Sequence, residues 1–292
     1  MPSAASERPE RYAEARRTLS KATPWLLLAP LLAFTAAFLL LPLGFLAVMS
    51  FTEGTSFFAA EGMRFTLDNY ARLYEVHRSI VPNTLRMAFW AATLDLLLGV
   101  PFAYFLARLF PYRELARALM VFPLFGGLYL AVGIYFLVLP GGLLYPSLAR
   151  LGVEYQDLIG MTTVVCALAL FTFPFMVTNV TAALANVDPQ LAEAAASLGA
   201  NKWQQFHKIT LPLARRGIFA GYFMCFGWTF GAFEIPLFFG RVDAEPIMAV
   251  QIFYEVFKFS ALGYAAALAV VVMAIAYSVT YLSLRFARGV LT

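Results

Sequence analysis

Six nearly unbroken apolar stretches run along the chain, at residues 25–49, 85–109, 119–139, 161–184, 217–239 and 262–284, with polar and charged segments between them. Each is long enough to cross a hydrocarbon layer of about 30 Å at roughly 1.5 Å per helical residue. Runs of this length predict membrane-spanning helices, since within lipid the backbone must satisfy its own hydrogen bonds. The first run follows a basic segment as a signal peptide would, but it far exceeds the usual apolar core of about 7–15 residues and reads as a retained anchor. Helix-disrupting residues fall inside the runs: Pro30, Pro42, Pro101, Pro174, Pro236 and the Gly126-Gly127 pair. Kinks or breaks are expected there, as is common in transporters, although Gly and Pro are frequent in membrane helices generally.

Composition strengthens this reading. Of 292 residues, 61% are hydrophobic and 13% charged, against about 45–50% and about 25% in an ordinary soluble domain. A sizeable soluble catalytic domain is excluded. In so apolar a chain the net charge of +4 matters less than the side on which the charges fall, and it is read as topology rather than as a nucleic-acid signal. Fourteen Lys and Arg flank one set of span ends (1–24, 107–118, 185–217 and the C-terminal tail), against six in 50–83, 139–160 and 240–261. The positive-inside rule then places both termini in the cytoplasm. The expected fold is an all-α membrane protein with six transmembrane helices over 25–292, a polar cytoplasmic tail over 1–24 and a cytoplasmic loop over 185–216. Segments 50–83 and 244–261 lie on the opposite side, the first as an external cap and the second along the interface. Both are candidate docking surfaces for an external partner.

Little here carries covalent chemistry. Cys166 and Cys225 sit in apolar runs, and His77 and His207 stand apart with no ligand cluster beside them, so no zinc spacing can be assembled. The chain contains neither a Walker-type phosphate loop nor a nucleophile elbow. No catalytic residue, metal site or cofactor is expected on this chain. If ATP is used, another chain binds it.

The loop between the fourth and fifth runs is too patterned to be a linker. Asp188 is placed to cap a helix whose first residue is Pro189, and Gln190 to Leu198 are mostly strong helix formers. Gly199 supplies a left-handed terminator, and Asn201 can cap a second short helix through Lys208. Leu191, Ala194, Ala195 and Leu198 make a thin apolar stripe beside Glu193, and Trp203, Phe206 and Ile209 or Thr210 repeat the spacing.

Within this loop Glu193-Ala194-Ala195, three residues, Gly199, nine residues, Ile209, one residue and Leu211-Pro212 match the EAA signature at every fixed position. The chain resembles the permease subunits of binding-protein-dependent ATP-binding-cassette importers, and the likeness extends over nearly its whole length. The resemblance implies a type I (MetI-like) architecture in a bacterial inner membrane. By the same likeness the Glu193 helix docks in a groove on a cytoplasmic ATPase, Glu193 pairs with a basic residue there, Gly199 permits the bend, and Leu211-Pro212 fix entry into the fifth span. The implied partners are two ATPase subunits carrying ATP and Mg, a second permease, and an external or periplasmic solute-binding protein. One EAA loop cannot serve both ATPases, so a second membrane chain is required, and the subfamily favours a different one. Ser197-Leu198-Gly199-Ala200, Val187-Asp188-Pro189 and Phe233-Glu234-Ile235-Pro236 are more similar to the polyamine, iron, sulfate and phosphonate branch than to sugar permeases, and most similar to the spermidine/putrescine type.

Two carboxylates fall within spans, Asp95 in the second and Glu234 near the outer end of the fifth. Intramembrane acids usually face a bundle interior or a cavity, which makes both candidates for the solute pathway; the alternative is that hydroxyls or backbone satisfy them structurally. Glu234 shares a helical face with Gly227 and Gly231, whose spacing favours close approach of another helix. Aromatic residues such as Trp90, Trp228, Phe230 and Phe233 could add cation–π contacts to a polyamine or similar small cation. Two competing readings remain: an intramembrane enzyme using Asp95 and Glu234 as acid and base, which requires them to converge, and a passive channel.

Overall fold

The computed structural model describes residues 27–53, 64–108, 126–241 and 244–289. The polar tail expected over 1–24 lies outside these residues, as does the start of the third expected span. Among the described residues the elements are helical: α1 (Leu27–Met49), α2 (Asp68–Val76), α3 (Ile80–Arg108), α4 (Gly127–Val138), α5 (Tyr145–Arg150), α6 (Met161–Ala185), α7 (Pro189–Ser197), α8 (Lys202–Gln205), α9 (Leu211–Phe230), α10 (Glu234–Phe239), α11 (Met248–Phe257) and α12 (Leu262–Gly289). A single isolated bridge pairs Thr52 with Phe65.

Four of these helices, α1, α3, α6 and α12, are long and apolar enough to cross a membrane. The other two expected spans are not single long helices among the described residues. The third is described only from Gly126 on, as the 12-residue α4, and Gly126, at φ +146°, is non-helical at the expected Gly126-Gly127 break. The fifth is broken, because α9 ends at Phe230 and the chain restarts as α10 at Glu234. The break falls three residues before the expected Pro236, which sits quietly inside α10.

The prolines divide into two kinds. Helices α3 and α6 run unbroken through Pro101 and Pro174. Pro42 and Pro212 each follow a leucine that closes a wide π turn, over Ala36–Leu40 and Phe206–Thr210. In both, the leucine N–H reaches five residues back, Leu41 to the Ala36 carbonyl and Leu211 to the Phe206 carbonyl. A proline has no N–H and its ring crowds the carbonyl four residues earlier, so widening the turn just before it lets the helix continue. The second helix of the loop therefore does not stop near Lys208 as expected. It passes from α8 through the π turn into α9.

The core is the mutual packing of α3, α6 and α9, centred on Ala92 and Ala103 of α3, Val177 and Val180 of α6, and Ala214 and Cys225 of α9. Small residues set the approach. A Cβ added at Gly217 would collide with Ala183, and one at Gly221 would stand 3.0 Å from the Met176 sulfur. The close crossing of α9 is thus made by Gly217 and Gly221, whereas a Cβ at Gly227 would meet nothing within 4 Å. The face of the Gly227/Gly231 pair singled out in the sequence is open among the described residues.

The two ends of α3 fix the poles of the bundle. At one pole Tyr104 packs on Phe206 beneath the 189–212 loop, with ring centroids 4.7 Å apart. At the other Ile80 is buried with Met248, Tyr264 and Leu268. There α11 packs on α12 and buries Met248, Val250, Gln251 and Glu255. Segment 244–261, expected along the interface, therefore also packs against the bundle.

Candidate functional site

The 189–212 loop is built by local bonds. The Asp188 carboxylate accepts the Gln190 N–H at 2.9 Å, starting α7. At its other end Gly199 N–H donates to the Ala196 carbonyl and Ala200 N–H to the Ala195 carbonyl, both at 2.9 Å, with Gly199 at φ +90°. This is a Schellman closure, which needs a residue in the left-handed region where glycine has no Cβ penalty. Asn201 and Gln204 then cap α8 reciprocally, side chain to backbone, at 2.9 and 3.0 Å.

The result is a compact projection several of whose signature residues are exposed among the described residues. Leu191, Glu193 and Ala194 are exposed and Ala195 is half-buried, while Leu198 and Trp203 are 90% and 69% exposed. Phe206 turns inward to Tyr104 instead, Thr210 is buried, Ile209 and Leu211 are half-buried, and Pro212 lies exposed in the first turn of α9. The signature thus divides into residues that shape the loop, residues that root it, and residues that face outward, uncovered by the other described residues.

Across the π turn the far end of α9 borders a cavity of about 590 Å³. Its walls include Phe171, Gly227, Trp228, Gly231, Phe233 and Glu234. Trp228 stacks on Phe175 with centroids 5.4 Å apart and planes 8° from parallel, and meets Phe171 edge-on. Glu234 is half-buried as the first residue of α10, and a Cβ on Gly127 would lie 3.8 Å from its Oε2. Its carboxylate therefore sits against the N-terminal turn of α4, where unpaired N–H groups and the helix dipole favour negative charge.

The other pathway candidates lie elsewhere. Asp95 is 1% exposed inside the α3–α6 contact, where the Thr172 hydroxyl donates to its Oδ2 at 2.5 Å, and its Oδ1 has no partner among the described residues. Trp90 is half exposed on another face of α3, in a cavity shared with Arg86, Leu97, Val165 and Glu245. The structure joins Glu234 to Trp228 and separates both from Asp95 and Trp90. An acid–base pair of Asp95 and Glu234 is not assembled.

One cluster escaped sequence reasoning. At the pole away from the loop, Glu255 is 1% exposed and takes bonds from Arg72 at 3.4 Å and Gln251 at 2.9 Å. The Arg72 guanidinium also lies 4.3 Å from the Tyr264 ring centre, and Tyr264 hydroxyl is 2.6 Å from His77 Nδ1. Burial and the neighbouring Arg72 charge hold His77 below its ordinary value, with Glu255 opposing them. The available signal was the four-residue spacing of Gln251 and Glu255 in line with Met248, which puts two polar groups on the apolar face of one helix.

Residues 95–291 match the family model described as "Binding-protein-dependent transport system inner membrane component". The spermidine/putrescine transport system permease protein PotB of Haemophilus influenzae is 31% identical over 63% of this chain and 66% of its own length. PotB of Escherichia coli K12 is 36% identical over 58% of this chain and 65% of its own. The molybdenum transport system permease protein ModB of the same organism is 33% identical over 53% and 69%. The match thus spans slightly less than two thirds of either PotB. Among solved structures, a bacterial ABC transporter that imports the acidic polysaccharide alginate superposes with TM-score 0.72 at 19% identity, over 94% of this chain and 98% of that one. The methionine transporter MetNI gives 0.56 at 19%, over 75% and 98%. Family match and superposition agree on an all-helical, multi-pass membrane fold, and the chain belongs to the family of inner membrane components of binding-protein-dependent transport systems.

Proposed function

We propose that this chain is the permease subunit of an ATP-binding-cassette importer, forming half of a translocation pathway for a small cationic solute of the polyamine class. The observation that carries the reading is mechanical. From Lys202 to Phe230 the backbone is one continuous helical rod of 29 residues, roughly 40 Å long at helical rise. Its lower end carries the uncovered signature loop and its upper end borders the Glu234 cavity. A push on α7 is transmitted along this rod as rigid-body rocking, the means by which many transporters alternate access.

In this reading the pole bearing the loop, and with it both termini, is cytoplasmic. Two ATPase subunits bind ATP and Mg, one of them seating Leu191, Ala194 and Leu198 with Glu193 against a basic residue. A second permease, a different chain, closes the pathway, and an external binding protein delivers the solute. This chain does no covalent chemistry. The polyamine assignment is supported by the PotB similarity and by Glu234 beside the Trp228 and Phe171 rings, a carboxylate with aromatic faces being suited to an organic cation.

Gentle purification of the chain from its native membrane, with identification of what accompanies it and an ATPase assay, tests the reading. An ATPase and a second permease should co-purify, with hydrolysis stimulated by a polyamine-loaded binding protein. A chain that arrives alone even after mild crosslinking overturns it. Stimulation by another loaded solute overturns only the substrate class.

A further inference from the structure

A second and larger cavity, of about 850 Å³, opens at the pole opposite the signature loop, between the α2–α3 link, the segment after α10, and the end of α11. His77, Ser79, Gln251, Tyr254, Arg241 and Lys258 line it. Its two charged lining residues, Arg241 and Lys258, are both basic and both exposed. Among the described residues neither is paired with a carboxylate: Arg241 donates to the Gln156 carbonyl at 2.6 Å, and the Lys258 ammonium stands 5.5 Å and 5.3 Å from the Tyr254 and Phe259 ring centres. Among the described residues, Glu245 is held by Arg86 and the Met161 N–H, and one carboxylate oxygen of Glu255 by Arg72 and Gln251. The charged side chains among its described lining residues are thus both cations, and the concave walls focus their field.

We propose that this cavity receives an acidic side chain of the external solute-binding protein. The inference rests on the importer reading above and adds the chemistry of one partner contact. A cationic solute is repelled by Arg241 and Lys258, so the cavity is not a station for the solute itself. A protein that captures cations holds them with carboxylates, and a carboxylate seated here gains charge-assisted hydrogen bonds from a guanidinium and an ammonium. The position gives the contact a use. Glu234 begins α10 and Arg241 follows its end by two residues, about 10 Å away along a helical path. Carboxylates drawn onto Arg241 and Lys258 loosen their hold on the cation where Glu234 can take it.

The test uses the full complex, reconstituted in nanodiscs, with its binding protein. A carbodiimide, which joins a carboxylate to an amine without a spacer, should link Lys258 to an Asp or Glu of the binding protein, read by mass spectrometry. Lys258→Gln and Arg241→Gln should each weaken the binding protein's stimulation of ATP hydrolysis, roughly tenfold in half-saturating concentration, and flatten its salt dependence, leaving basal hydrolysis unchanged. Wild-type stimulation and salt dependence in both variants, with no Lys258 crosslink, overturns the proposal while the importer reading stands. A wild-type complex that no binding protein stimulates fails at the earlier step and removes both.

Discussion

The two poles of the bundle use polar residues in opposite ways. At the signature loop, polar side chains cap helix ends within a few residues of themselves, and the apolar side chains Leu198 and Trp203 are left outside. At the other pole, Arg72, His77, Gln251, Glu255 and Tyr264 come from separate segments and bury a carboxylate among them. The first arrangement makes a locally braced projection with apolar side chains exposed; the second joins α2, α11 and α12. Substitutions at the loop should therefore disturb function without stability, and substitutions at the cluster should disturb stability first.

The largest effect is expected at Glu193. Its side chain is exposed and its place in α7 is one that alanine fills well, so Glu193→Ala should leave the melting temperature of the purified complex unchanged. ATP-dependent uptake should fall roughly tenfold or more, because a charge at a docked interface loses its partner. Normal uptake would remove Glu193 from the coupling contact and erase the functional half of the comparison.

Glu255→Ala breaks the comparison from the other side. It strips Arg72 and Gln251 of their shared acceptor in a buried setting, and removing one partner of a buried pair is strongly destabilising. Because the Arg72 side chain is 47% exposed and water recovers part of the loss, about 2 kcal/mol is expected. Thermal unfolding followed by tryptophan fluorescence should show a lower midpoint, with the ATPase stimulation of surviving complex intact. An unchanged midpoint would mean that the cluster joins nothing.

The same contrast explains what the sequence disclosed. Every cap in the loop is a contact between residues at most five apart, so Asp188, Gly199 and Asn201 could be read directly from their order. The exit of the second helix was missed because the π turn before Pro212 is a compromise between a proline and a helix that packing keeps intact. Gly217/Gly221 and Gly227/Gly231 offer identical spacing, and only the register of Met176 and Ala183 on α6 decides which pair is closed. The depth of Asp95 was legible in the sequence, while its partner Thr172, in another span, was not. Glu255 was hidden for the same reason: burial of a charge depends on who arrives from elsewhere in the chain.

Glu234 stands between the two classes, half-buried yet lining an open cavity, and its expected effect is intermediate. Glu234→Gln keeps the shape and removes the charge, so the complex should assemble normally. Half-saturating concentration for a cationic solute should rise roughly tenfold, the equivalent of about 1.4 kcal/mol. A matched rise for a neutral solute, or no rise at all, would place Glu234 outside cation recognition and leave its contact with the α4 terminus as its whole role.

The smallest effect is expected from His77, and its sign is set by the direction of its shift. Burial and Arg72 make the folded protein bind this proton less readily than the unfolded chain, whose ordinary value is 6.5. The stabilisation is therefore fully present above that value and is lost as pH falls through the lower folded value. Acidification acts on the whole protein, so the histidine must be isolated. Comparing melting midpoints between about pH 7.5 and about pH 5 in the wild type and in His77→Gln does this. Glutamine keeps a hydrogen-bonding group near Tyr264 but cannot take up the charge. The wild type should lose a degree or two more than the variant on acidification. Equal losses would show that His77 does not carry the acid sensitivity, and its contact with Tyr264 would then be structural alone.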